Sequence, residues 1–337
     1  MATRIALDAM GGDDAPDAIV EGAIRAAQDT GGAVDICLVG REDEVHAVLD
    51  AHPDAQDLPI RVQHAPEVIE MTDSPASAVK TKRQSSIHRG LTAHKQGEVD
   101  AFASAGNTGA VMAASMFILE RISGIARPSI VGYFPNLEGS SVVLDIGSNV
   151  DCKPSHLVQF ARMGTVYLRH MHDNDTPSVG LLNIGEEPSK GNEQVKAAHD
   201  LLRDADDIHF IGNVEGSDLL FYAADIIICD GFVGNIMLKF GETMTTVLSE
   251  MTRQEMERQG LSPDQQSLVS GVLSEVKKGF DPEDHGGAPL LGVNGTVMVG
   301  HGSSSPSVIA QLIHTTVEVC EKNVTRALAS AFAPDEA

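Results

Sequence analysis

Residues 4–16 read RIALDAMGGDDAP, and this stretch decides the fold. Arg4–Leu7 is a short run suited to a strand, and Asp8–Asp13 follows it as a glycine-bearing loop. The same order of strand and polar glycine loop returns along the chain. Strand-like runs occur at Arg4–Leu7, Val34–Val39, Ile60–Gln63, Val99–Ser104, Ser129–Tyr133, Ser141–Ile146, Ser178–Asn183, Ile208–Val214 and Asp225–Cys229. Helix-length segments separate many of them. Such alternation predicts an α/β fold with a mostly parallel sheet covered by helices on both faces. No repeat, low-complexity tract or linker divides the 337 residues, so a single domain over 1–337 is expected.

Composition narrows the class. Hydrophobic residues make up 42% of the chain and aromatic residues only 4%, which predicts a large aliphatic core. The first residues lack a basic stretch followed by an apolar run, so no secretory signal is expected. The longest apolar stretch, Gly109–Leu119, falls short of the roughly 20 residues that span a bilayer, and a soluble cytoplasmic protein is expected. Cys37, Cys152, Cys229 and Cys320 form no CxxC pair and read as reduced structural thiols.

With 48 acids against 24 bases the formal charge is −24, a balance that repels nucleic acid. Two windows escape it. Ser74–Gly97 contains no acid but holds Lys80, Lys82, Arg83, Arg89 and Lys95, either a basic helix face or a landing site for an anionic partner. His285–Val317 has no Asp, Glu, Lys or Arg, is rich in glycine and serine, and reads most simply as buried.

Two helical features are legible. A C-terminal helix, capped by Ser305 with Pro306 in its first turn, carries an apolar stripe of Ile309, Ile313, Val317, Cys320, Val324 and Leu328. A helix over about Val233–Arg258, with Ile236, Phe240, Met244, Val247, Leu248 and Met251 inward, is followed by a second from Ser262-Pro263 to Lys277-Lys278. Together they predict a protruding hairpin over about 233–280. Its second helix aligns Leu268, Val269, Val272, Leu273 and Val276, with Leu261 at the turn. That stripe packs on protein or lies on a membrane surface.

In folds of this kind the loops after the strands gather ligands. Here they read Asp8–Asp13, Ser104–Gly109, Asp145–Pro154, Asn183–Asn192 and Asp230–Asn235. Glycines let backbone N–H groups converge on an anion. No G-x-G-x-x-G, P-loop, H-E-x-x-H or G-x-S-x-G occurs. His170, His172 and Asp173 end a helical stretch and read as a solvated terminus, not a metal site.

The series DAMGGDDAP, SAGNTGA, DIGSNVDCKP, NIGEEPSKGNE and DGFVGNIMLK, in this order over nearly the whole chain, resembles the PlsX family of bacterial phosphate acyltransferases. The resemblance implies a three-layer α/β/α sandwich similar to the isocitrate and isopropylmalate dehydrogenases and to phosphotransacetylases. It implies a homodimer without cofactor or required metal. The implied reaction moves a fatty acyl group from acyl carrier protein to inorganic phosphate, giving acyl phosphate for phospholipid synthesis. A membrane acyltransferase would receive that product, and the hairpin is implicated in peripheral contact with the inner face of the cell membrane.

By the same resemblance Lys190 and Asn235 are the catalytic pair. Gly11, Gly12, Asn107, Thr108, Ser148, Asn149 and Lys153 are expected to bind phosphate or substrate. The need for donors to a dianion and to an oxyanion agrees with these residue types. Asp13, Asp145 and Asp230 orient loops, because like charge beside phosphate is unfavourable. Acyl carrier protein is acidic, so Lys80, Lys82, Arg83 and Arg89 suit its docking, or else phosphate. Leu261, Leu268, Val269 and Val272 are the membrane-contact residues expected. Two rivals share the fold: a phosphotransacetylase-like enzyme using acyl-CoA, and a decarboxylating dehydrogenase.

Overall fold

The computed structural model describes residues 2–172, 174–278 and 286–333. The strands are β1 (Thr3–Asp8), β2 (Val34–Gly40), β3 (Ile60–His64), β4 (Ala101–Ser104), β5 (Ser129–Ile130), β6 (Gly132–Asn136), β7 (Gly139–Leu144), β8 (Ser178–Asn183), β9 (His209–Glu215), β10 (Ile226–Ile228), β11 (Ala288–Leu291) and β12 (Thr296–Val299). The α-helices up to the middle of the chain are α1 (Asp17–Asp29), α2 (Glu42–Asp50), α3 (Pro75–Thr81), α4 (Ser86–Lys95), α5 (Thr108–Ile118) and α6 (Pro154–Met171). Then follow α7 (Glu193–Arg203), α8 (Gly231–Arg258), α9 (Pro263–Lys278), α10 (Pro306–Glu321) and α11 (Val324–Ala331). Where the sequence suggested one domain, these elements group into two compact units, the first Met1–Ile130, Val166–Asp175 and His285–Ala337, the second Val131–Thr165 and Thr176–Asp284.

The first unit is built on a sheet of order β3-β2-β1-β4-β12-β11-β5, parallel from β3 to β12. Ile5, Ala6 and Leu7 of β1 are all fully buried, as a parallel strand covered on both faces requires. Gly90 of α4 lies against the Phe102 ring and Ala6, which the register places side by side on one face. Helices α1 and α10 pack tightly together, because Gly22 leaves room for Ile309 and the Pro306 carbonyl. The second unit has a sheet of order β6-β7-β10-β8-β9, parallel except for β6. Its core gathers Phe134, Val143, Val214, Leu219, Ala224 and Ile227. The fold is a three-layer α/β/α arrangement with mostly parallel sheets.

Three expectations need correction. Ser129–Tyr133 is not one strand: β5 joins the first sheet and β6 the second, with Val131 between them. (The uncharged window is largely buried, as expected, and supplies β11, β12 and most of α10.) The C-terminal helix is broken after Glu321, where Asn323 adopts a left-handed φ of 54° that stops α10 and starts α11. Finally, the α8 residues assigned inward are outward: Ile236, Phe240, Leu248 and Met251 are more than half exposed, and Met244 and Val247 are also exposed. The hairpin itself, α8 and α9, is where the sequence placed it.

Glycine spacing gives a direct test. A Cβ at Gly22 would sit 2.5 Å from Ile309 Cβ, whereas one at Gly271 in α9 would meet nothing within 4 Å. Gly22→Ala should destabilise by about 1–3 kcal/mol through overpacking. Gly271→Ala should stabilise by up to about 1 kcal/mol through helix propensity. Denaturant titration of the two variants reads both signs.

Candidate functional site

In the first unit, three neighbouring parallel strands, β1, β4 and β12, end at one edge of the sheet. The loop after each is tied to the others. Asp8, 1% exposed, accepts hydrogen bonds from Ser104 Oγ at 2.7 Å and from the Met10 amide at 3.1 Å. Burial pushes its pKa up, against the opposing hydrogen bonds from Ser86, Ser104 and Met10. A side chain at Gly11 would strike Asp8 Oδ2 and the Gly106 amide, so these loops touch through backbone. The Gly300 amide donates to the Ser104 carbonyl at 2.8 Å, and the Asp13 amide to the Gly302 carbonyl at 2.7 Å. The 300–305 loop therefore belongs to this edge. The sequence reading missed it, although its glycine and serine content was the available signal.

Asn107 caps α5 by accepting from the Ala110 amide at 3.0 Å, while its Nδ2 donates to the carbonyls of Glu70, Met71 and Asp73. Its amide thus holds the 70–73 loop against the start of α5. Thr108 is exposed on the first turn of that helix. Lys82 works on the same loop: its Nζ contacts Asp73 Oδ2 at 2.5 Å and the Val68 carbonyl at 2.8 Å. That bond holds the Asp73 carboxyl below its ordinary pKa. The other bases of the acid-free window lie more openly. Arg83, His88 and Arg89 line a cleft of about 390 Å³ with Gln63, Gln84 and Gln96, and Lys80 is exposed on α3. Arg89 is braced by Gln84 and by the His64 carbonyl.

The second unit repeats the device. Its neighbouring strands β7, β10 and β8 end at one edge and lead into the loops at 145–154, 230–235 and 183–192. Asp145, fully buried, accepts from the Asn149 amide at 2.5 Å, and the Gly231 amide donates to the Asn149 carbonyl at 2.8 Å. Gly231 and Gly234 leave space for the Asp145 carboxylate and carbonyl respectively. Asp230 caps α8 by accepting from the Val233 amide at 2.9 Å. This sets Asn235 in the first turn of α8, half-buried and beside Gly147, whose φ of 135° admits the close approach.

Lys190 closes the 183–190 turn, where Asn183 Nδ2 donates to its carbonyl at 3.2 Å. Its ammonium is exposed, 3.9 Å from Glu187. Asn213 Nδ2 donates to the Glu187 carbonyl at 3.0 Å and steadies the same turn. Ser148 and Lys153 lie on the 145–154 loop, Ser148 half-buried and Lys153 exposed. Thus Ser148, Asn149, Lys153, Lys190 and Asn235 share the edge of the second sheet, while Gly11, Gly12, Asn107 and Thr108 share that of the first.

On the hairpin, Leu268 is 70% and Val272 59% exposed, with Leu261 and Val269 half-buried. Among the described residues no helix is long and apolar enough to cross a membrane, and no group of three or more His, Cys, Asp or Glu is placed to hold a metal ion. Asp173 lies outside the described residues.

Comparison with known proteins adds a family. Residues 3–327 match the family described as fatty acid synthesis protein. A phosphate acyltransferase of Salinibacter ruber is 67% identical over 98% of this chain and 98% of its own. One from Chlorobaculum parvum is 47% identical over 97% and 98%. Among solved structures, a phosphotransacetylase from Streptococcus pyogenes superposes with a TM-score of 0.61 at 19% identity, covering 95% of this chain and 94% of that one. A 4-hydroxythreonine-4-phosphate dehydrogenase from Klebsiella pneumoniae gives 0.54 at 12%, covering 95% and 98%, and these two likenesses concern the fold. With two thirds of its residues shared along nearly the full length, the chain belongs to the bacterial phosphate acyltransferases, enzymes of the fatty acid synthesis protein family.

Proposed function

We propose that this acyltransferase takes a fatty acyl group from the thioester of acyl carrier protein and passes it to inorganic phosphate, and that the acyl phosphate feeds phosphatidic acid synthesis. The near-complete 67% match to a phosphate acyltransferase carries the reading. In the reaction a phosphate oxygen attacks the thioester carbonyl, and an oxyanion forms. The C–S bond then breaks, and the departing thiolate takes the proton that phosphate gives up. Lys190 supplies positive charge to the oxyanion or to the leaving sulfur, and Asn235 supplies a neutral donor at a fixed helix start. Gly11, Gly12 and Thr108 on the edge of the first unit, and Ser148, Asn149 and Lys153 on that of the second, serve to receive phosphate or the thioester. Asn107 serves the same loops by positioning.

Lys80, Arg83 and Arg89 form the docking face for the acidic carrier protein, and Lys82 supports it from below through Asp73. The exposed apolar face of α8 suits a second copy of the chain, giving a homodimer. Leu268 and Val272 on α9 suit peripheral contact with the cytoplasmic membrane surface, from which a membrane acyltransferase would collect the product.

Four experiments test this reading. Incubation with acyl carrier protein thioester and phosphate should yield acyl phosphate and free thiol. Lys190→Ala and Asn235→Ala should each lower turnover by about 100-fold or more with unchanged thermal unfolding. Activity within about threefold of wild type would remove the pair from the chemistry.

Reversal of Lys80 and Arg83 to Glu should raise KM for the carrier-protein donor most at low salt, and leave KM for a small thioester unchanged. Lys82→Met, in contrast, should impair both donors, because the loop held by Asn107 is released.

Leu268→Glu with Val272→Glu should abolish co-sedimentation with anionic liposomes while solution activity persists. Loss of the dimer in that variant would place α9 in an interface between subunits instead.

A further inference from the structure

The loop from His301 to Ser307 is absent from every role assigned above, yet it occupies the third strand end of the first unit's edge. It follows β12, and it contacts the loops after β1 and β4 through backbone: Gly300 to Ser104, Asp13 to Gly302. Gly12, with φ of 123°, lies against the Gly302 carbonyl. From this turn α10 runs for 16 residues, with Ser305 at its N-cap position and Pro306 in its first turn. Ser305 does not cap the helix. Its hydroxyl pairs with Ser307 Oγ at 2.9 Å and does not accept from the first-turn amides. Those amides are left pointing out of a long helix, where its dipole favours an anion.

A second observation is independent of the helix. Ser304 is 4% exposed, and its Oγ, buried in the turn that opens α10, has no hydrogen-bond partner. A buried hydroxyl without a partner is unfavourable, and a bound acceptor would satisfy it. Beside it His301 Nδ1 and Ser303 Oγ lie 2.8 Å apart, both residues exposed. The turn thus collects four serine hydroxyls, an imidazole and free helix amides, with no Lys or Arg between 286 and 317. One carboxylate is close, Asp13, near Gly302.

We propose that this turn is a subsite for a phosphate group, and that its occupant is the inorganic phosphate acceptor. The inference rests on the reading above of phosphate as nucleophile. The donor set suits that task. Neutral hydroxyls and amides hold phosphate by hydrogen bonds but do not neutralise it as a guanidinium pair would, so its oxygens keep the charge they need for attack. A phosphate carried on the acyl donor has the same recognition chemistry, and the experiment separates the two.

Binding of inorganic phosphate is measured by isothermal titration, with no acyl donor present, for wild type, Ser304→Ala and Ser307→Ala. Ser307 is exposed, so its variant keeps the fold if the buried Ser304→Ala does not. Each should weaken phosphate binding about tenfold, the loss of one buried or charge-directed hydrogen bond. In turnover KM for phosphate should rise by the same factor, with kcat within twofold and KM for the acyl donor unchanged. Asp13→Asn should tighten phosphate. Unaltered phosphate titration in both serine variants would overturn the proposal. So would a rise in KM confined to phosphate-bearing acyl donors, which would assign the turn to the donor's phosphate. Should wild type bind phosphate here and yet form no acyl phosphate, the function reading fails and the subsite stands.

Discussion

At the end of β1, and again at the end of β7, the chain removes an aspartate from water. Asp8 and Asp145 are 1% and 0% exposed. A carboxylate in such a place must collect hydrogen-bond donors or bind a proton. The loops that follow are shaped by this demand. The Ser104 hydroxyl and the Met10 amide donate to Asp8, and the Asn149 amide donates to Asp145, where glycines let backbone pass close by. A Cβ at Gly11 would stand 2.6 Å from Asp8 Oδ2, and one at Gly231 would stand 2.5 Å from Asp145 Oδ2. The motifs DAMGG, SAG and DGFVG are therefore requirements of two buried charges. The positions of Asn107 and Asn235 follow from them, since Asn107 caps the helix that one such loop delivers and Asn235 lies near the start of the helix that the other delivers.

That dependence explains what could be read in advance. Glycine-rich turns after apolar runs are local signals, so the strand ends and the loops were legible, as was the hairpin from its helical spacing. Contacts across the sequence were not. Lys82 looked like a free surface base because nothing near it in the chain announces Asp73 as its partner. Asn107 looked like a ligand donor, but its amide reaches back more than thirty residues to three carbonyls. The division of Ser129–Tyr133 between two sheets leaves no trace in a run of strand-forming residues. Likewise β11 and β12 are short and glycine-flanked, and their absence of charge announced burial, which is what they show, without announcing strands.

The outward face of α8 shows where hydrophobic periodicity misleads. Spacing identifies an apolar stripe but not which body covers it. Phe232, Ile236, Phe240, Leu248 and Met251 are all more than half exposed. The stripe begins in the turn that carries Asn235. Whatever covers it, in our proposal a second copy, also fixes the helix that presents the amide. On that proposal assembly and chemistry share one element.

The thiols complete the argument. An enzyme that handles thioesters risks acylating its own cysteines, because a thiolate exchanges readily with a thioester. Burial pushes the Cys37 thiol up even though Arg61 Nη1 contacts its sulfur at 3.0 Å. Cys229, at the end of β10 next to the buried Asp145, is driven well above its ordinary value by burial and then by that carboxylate. Cys320 is pushed up to about 11, again by burial. All three stay protonated at neutral pH and are poor nucleophiles. The Asp145 carboxylate that organises this loop thus also raises the pKa of Cys229, and in the reaction we propose that thiol does not compete with phosphate for the acyl group.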